Sequence, residues 1–159
     1  MEHLLREAQV QRELTRLQIA EFLRTEDFLD EEGYPTQRTL WALEKWPFDD
    51  AKGWFSFLHR VWHLADWGWH EADEPPEYPR AQETAQVHRW NLSTAGWSGN
   101  ESLVAAMQAN EMLWHLCWVQ SRRGGHYIFE QEGASMQEEA GDAALGVLRG
   151  LRGETPHAA

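Results

Sequence analysis

Val87-His88-Arg89-Trp90-Asn91-Leu92, followed by Ser93-Thr94-Ala95-Gly96-Trp97-Ser98-Gly99-Asn100-Glu101, decides how this chain is read. In the first run His88, Trp90 and Leu92 alternate with Arg89 and Asn91, the period of a strand. The second run is a Gly/Ser turn. After it Leu103, Met107, Trp114, Cys117 and Trp118 recur at helical spacing, which predicts one helix from about Asn100 to Arg122. Gly124 should cap it, Arg122 and Arg123 should complement its dipole, and His126-Tyr127-Ile128-Phe129 returns as a short strand. If that strand lies parallel to 87–92, the helix is a right-handed crossover.

Upstream, the pattern is helical. Residues 2 to about 24 place Val10, Leu14 and Leu17 at i, i+4 and i+7, with Phe22 and Leu23 following, predicting a helix that covers the core. A dimerising helix is the weaker alternative, because no heptad persists. An acidic loop spans 26–33. Pro35 or Thr36 opens a short helix to Lys45, which Pro47 ends. Asp49 or Asp50 caps a third helix, from about Ala51 to Ala65, aromatic on nearly every side. Gly68 supplies a left-handed stop, and residues 71–80, with Pro75, Pro76 and Pro79, form an irregular acidic connection. Past Glu130 the chain is acidic and small, with a weak helix at Asp142 to Arg152 interrupted by Gly146 and Gly150. The expectation is a helix-rich α+β domain over 1–141: three N-terminal helices, then strand–long helix–strand with a small sheet. Residues 142–159 form a weakly structured tail.

Composition excludes several classes. The 159 residues carry a formal net charge of −12, which repels phosphate backbones and argues against direct DNA or RNA binding. A lone Cys117 precludes an internal disulfide and suits a reducing compartment. No apolar run reaches membrane-spanning length and no signal-peptide pattern opens the chain, so a cytoplasmic location is expected. Ten Trp residues are unusual, and most are read as core, although so many are hard to bury in one small domain.

The segment Ser93–Glu101, with Cys117-Trp118 and Ser121-Arg122-Arg123-Gly124-Gly125-His126-Tyr127, resembles a widespread family of uncharacterised small bacterial and phage proteins. Tyr34-Pro35-Thr36 and Asp66-Trp67-Gly68-Trp69 are similar to that family too, so the resemblance covers roughly 33–130. Ala95 departs from it, since Gly is expected there. The family implies extent of fold and no activity.

A Gly-relaxed turn opening a helix offers free backbone N–H groups and the positive end of the macrodipole. Thr94, Trp97, Ser98, Gly99, Asn100 and Glu101 are therefore the expected ligand-binding set, against the plainer reading that Ser98 or Asn100 simply caps the helix. Trp97, with Trp90 or Trp69, would wall a site for an anionic small molecule such as a nucleotide. Arg122, Arg123 and His126 form a second anion or partner site. A straight helix from Asn100 to Arg122 would hold the two sets about 33 Å apart. His59, His63 and Asp66 share a helical face and are weak metal candidates, but no HExxH pattern accompanies them, and no metal or cofactor is assigned. Cys117 reads as a buried hydrophobe. No nucleophile elbow or Walker-type loop is present, so an enzyme using Glu101 or His126 as acid/base ranks last. The leading function is a small binding module for an anionic, nucleotide-like molecule at 93–101. The alternative is an acidic inhibitor or immunity-like, anti-defence protein. It would meet a basic protein partner through the loops at 26–32, 71–77 and 130–142 and through exposed Trp.

Overall fold

A computed structural model describes residues 1–78 and 86–133. Six helices and a four-stranded antiparallel sheet make up the described residues, as α+β patterning predicts. The helices are α1 (Glu2–Thr25), α2 (Gln37–Lys45), α3 (Ala51–Val61), α4 (Ala65–Gly68), α5 (Ser98–Ala109) and α6 (Glu111–Cys117). The strands are β1 (Trp69–Glu74), β2 (Val87–Ser93), β3 (Trp118–Arg122) and β4 (His126–Glu132), in the spatial order β1-β2-β4-β3. The expected tail at 142–159 and its weak helix lie outside the described residues.

Local chemistry sets the N-terminal helices. Thr36 caps α2 by accepting the Thr39 N–H, and Asp50 caps α3 by accepting that of Gly53. The second oxygen of Asp50 accepts the Trp46 indole N–H at 3.1 Å. Burial raises the Asp50 pKa above its ordinary value, partly offset by these hydrogen bonds. The α3 helix then feeds the core: Trp54, Phe55, Phe57, Leu58 and Val61 are all buried, and Phe55 stacks on Trp90 of β2 with ring centroids 3.9 Å apart. Five indoles are buried (Trp46, Trp54, Trp62, Trp69 and Trp90), while Trp67 and Trp118 are 61% and 44% exposed.

Several expectations are corrected. The α1 helix does not cover the core with Val10, Leu14 and Leu17, which are 67%, 47% and 57% exposed; of the expected residues only Phe22 and Leu23 pack on the core, together with Ile19 and Ala20 near the C-terminus. Two apolar faces compete on this helix, and the packed one joins Phe22 to Phe28 and Phe57 in edge-to-face contacts at 5.3 and 6.1 Å. The acidic connection begins as an ordered strand, β1, which pairs with β2 from Trp69↔Leu92 to Glu74↔Val87. Its acids face basic side chains on β2: His88 Nδ1 lies 2.7 Å from Asp73, and Arg89 pairs with Glu74. The third helix ends at Val61, short of Ala65, and the left-handed residue is Leu64 (φ 56°) rather than Gly68. Gly68 has a different reason to lack a side chain: a Cβ there would lie 2.6 Å from the Ser93 carbonyl oxygen.

The long helix is the largest correction. It breaks at Asn110, which is 6% exposed. The Asn110 side chain accepts the Leu113 N–H and donates to the carbonyls of Leu43 and Trp46, tying the α5–α6 joint to the end of α2. Helix then gives way to β3 at Trp118, so Arg122 and Arg123 complement no helix dipole, and Gly124 (φ 94°) and Gly125 (φ 79°) turn a hairpin instead of capping a helix. That hairpin makes β4 antiparallel to both β3 and β2, and no parallel crossover forms.

Candidate functional site at the end of the sheet

The hairpin redraws the geometry of the two residue sets. Ser93 pairs with His126 in the β2–β4 ladder. Ser93 Oγ lies 2.5 Å from His126 Nδ1, and the Thr94 N–H donates to the Gly125 carbonyl at 3.0 Å. The two sets therefore meet at one end of the sheet. The 33 Å separation fails because it assumed a straight helix, whereas β3 carries the chain back beside its start.

The Ser93–Asn100 turn is built by internal contacts. The Ser93 carbonyl accepts the Trp62 indole N–H at 3.2 Å. Ala95 (φ 55°) and Gly96 (φ 69°) are both left-handed, and the Trp97 N–H closes the turn on the Thr94 carbonyl at 2.9 Å. Thr94 is 1% exposed, and its Oγ1 has no hydrogen-bond partner among the described residues. It is packed so tightly against the hairpin that a Cβ on Gly125 would lie 2.3 Å away.

Asn100 is the keystone, at 0% exposure. Its Oδ1 accepts the His63 N–H at 2.9 Å, while its Nδ2 donates to the carbonyls of His63 at 2.9 Å and Thr94 at 3.3 Å. It is neither the cap of α5 nor accessible to a ligand. The cap position is Trp97, which supplies no side-chain hydrogen bond. Its indole folds back over the first turn, where a Cβ on Gly99 would lie 2.5 Å from Nε1. Gly99 is thus small to admit its neighbour's ring.

Trp97 is half-buried rather than freely exposed. Its ring packs against Tyr34 at 4.7 Å and His63 at 4.8 Å between centroids. Trp90 and Trp69 do not wall this site, because both lie in the hydrophobic core. The acidic loop is what aims Tyr34: Asp30 Oδ1 accepts the N–H groups of Glu32 and Tyr34, and the Asp30 N–H returns to the Tyr34 carbonyl. Ser98 Oγ then reaches Tyr34 Oη at 3.2 Å.

At the rim of this end stand Ser98, Glu101, His63 and His126, all exposed, with the half-buried Tyr34 and Ser93. Arg123, in the hairpin turn, is exposed and has no partner among the described residues, whereas Arg122 is drawn to Glu77 at 3.6 Å and to Gln120. Among the described residues no acceptor takes the N–H groups of Ser98, Gly99 or Asn100, of which only Ser98 is exposed. Tyr34, His63 and Ser93 were missing from the expected ligand set. Only the fold brings them in, since they come from a loop, the end of α3 and the end of β2.

The remaining candidates fall elsewhere. His59, His63 and Asp66 share no helical face, because α3 ends before His63; the His59 ring packs on Trp69 and that of His63 on Trp97. No group of three His, Cys, Asp or Glu side chains is placed to hold a metal ion among the described residues. Cys117 is 2% exposed, and burial pushes its thiol up to about 12. Within the acidic loops, Glu74, Glu77 and the buried Glu130 gather around Arg89, so part of that charge is neutralised internally. No described helix is long and apolar enough to cross a membrane. The chain matches no family model, no curated protein and no solved structure.

Proposed function

We propose that the protein is a small binding module for an anionic, phosphate-bearing molecule, held at the end of the sheet where α5 begins. The observation that carries this reading is the closure of the β3–β4 hairpin on the Ser93–Thr94 turn, through Ser93–His126 and Thr94–Gly125. It brings an imidazole and a turn bearing Arg123, which has no partner among the described residues, to the Ser93–Thr94 segment that leads into the 12-residue α5. Hydroxyls of Ser93, Ser98 and Tyr34 and the His63 ring add donors of the kind that hold phosphate oxygens. The indole of Trp97 already packs on two rings, so a nucleobase stacking there would have to displace one of them. Phosphate, rather than base, is then the recognised part. The net charge of −12 opposes an anion at long range, so affinity comes from contact-range hydrogen bonds and the local dipole. Calorimetric titration of ATP and pyrophosphate tests the reading: wild-type protein binds both, and His126→Ala or Ser98→Ala weakens each by on the order of tenfold. No heat with either ligand refutes it.

A second reading rests on the exposed indoles of Trp67 and Trp118, which suit anchors for a basic protein partner of an acidic inhibitor. It calls for a complex that weakens steeply with salt and survives both substitutions.

A further inference from the structure

The α1 helix overhangs the domain it belongs to. Its 24 residues span about 36 Å at 1.5 Å per residue, yet its buried residues, Ile19, Ala20 and Phe22, all lie near the C-terminal end. Arg16 fixes its bearing through two 2.7 Å hydrogen bonds to Asp49. Ahead of that point Leu4 and Leu5 are 67% and 63% exposed, and the stripe Val10, Leu14 and Leu17 lies open along one face. A helix standing alone in water is marginal, and this one presents a continuous apolar line to solvent.

Charge selects what covers it. The chain carries −12 overall. Yet α1 itself balances Glu2, Glu7, Glu13 and Glu21 against Arg6, Arg12, Arg16 and Arg24, so it is a neutral place for a second copy to approach. Two such helices side by side in parallel would set Arg6 against Arg6 and Glu21 against Glu21. Run antiparallel, with Val10 facing Leu17 of the second copy, they bring Leu14 to the two-fold axis and Arg6 opposite Glu21. Neither Arg6 nor Glu21 has a partner among the described residues.

We propose that α1 is a dimerisation arm that pairs antiparallel with α1 of a second copy, through Val10, Leu14 and Leu17 and reciprocal Arg6–Glu21 ion pairs. Such an interface is isologous, so it closes at two copies. Sedimentation equilibrium on the full chain, from about 1 to 100 µM, tests it. The expected result is a dimer whose dissociation constant rises at least about tenfold in Leu14→Glu, with an unchanged near-ultraviolet spectrum. Arg6→Glu should weaken the dimer, and adding Glu21→Arg to it should restore the wild-type constant. A monomer throughout the range overturns the proposal, as does a dimer indifferent to Leu14→Glu. A charge reversal that the second substitution fails to rescue overturns the antiparallel register.

Discussion

Asn100 and the backbone of His63 are joined by reciprocal hydrogen bonds, both 2.9 Å long, one accepted and one donated by the same amide. This clamp fixes the start of α5 to the end of α3 and so holds Trp97 against the His63 ring. Asn100→Ala leaves the part-buried N–H and carbonyl of His63 without a partner, and leaves the Thr94 carbonyl with the Trp97 N–H alone; it should lower stability by about 3 kcal/mol in denaturant unfolding. Asn100→Asp, which keeps the acceptor but turns the donor into a second oxygen facing two carbonyls, should cost at least as much. A loss below about 0.5 kcal/mol in either variant would show that the clamp is not a structural necessity.

Ala95 occupies a left-handed conformation, with φ 55°. A Cβ is disfavoured there by roughly 1 kcal/mol, and glycine removes that strain. Ala95→Gly should raise the melting temperature by about 2–4 °C in calorimetry. A fall in melting temperature would mean that the stiffer unfolded chain outweighs the strain.

Cys117 should stay unmodified by a thiol reagent at pH 8 until the protein unfolds, because its thiol is buried and pushed up to about 12. Linkage gives the sign. The folded pKa lies above the unfolded value of 9.0, so the unfolded state sheds the proton first and stability falls as pH rises from about 9 toward 12. Unfolding titrations of Cys117→Ala, compared with wild type over that range, should lack this share of the alkaline loss.

Glu101 is exposed in the first turn of α5 and would repel an anion bound at that helix end. Glu101→Gln should therefore tighten pyrophosphate binding by about threefold to tenfold, and the gain should shrink in high salt. An unchanged affinity would place the anion away from the helix start.

The legible parts of this fold were those set by neighbours in sequence. Alternation revealed β2, Thr36 and Asp50 announced α2 and α3, and the aromatic density of 54–62 marked the core. The β3–β4 hairpin escaped because Trp114, Cys117 and Trp118 continue a helical spacing across a point where the backbone changes state. What breaks the helix is the long-range grip of Asn110 on Leu43 and Trp46, which no local period encodes. On α1 the stripe chosen from the sequence was the exposed one, since two apolar faces exist and only tertiary packing decides between them. The Gly/Ser turn was recognised as a focal point, yet the duties of its residues are largely internal: Asn100 clamps and Gly99 admits an indole. Tyr34, His63 and Ser93 reach the same place from distant elements.

Amide chemical shifts of isotope-labelled protein titrated with pyrophosphate test the central claim most directly. The account predicts saturable shifts concentrated at Ser98 and its neighbours in the first turn of α5 on one side and at Arg123, Gly125 and His126 on the other. Shifts that miss both segments, or none at all, would contradict it.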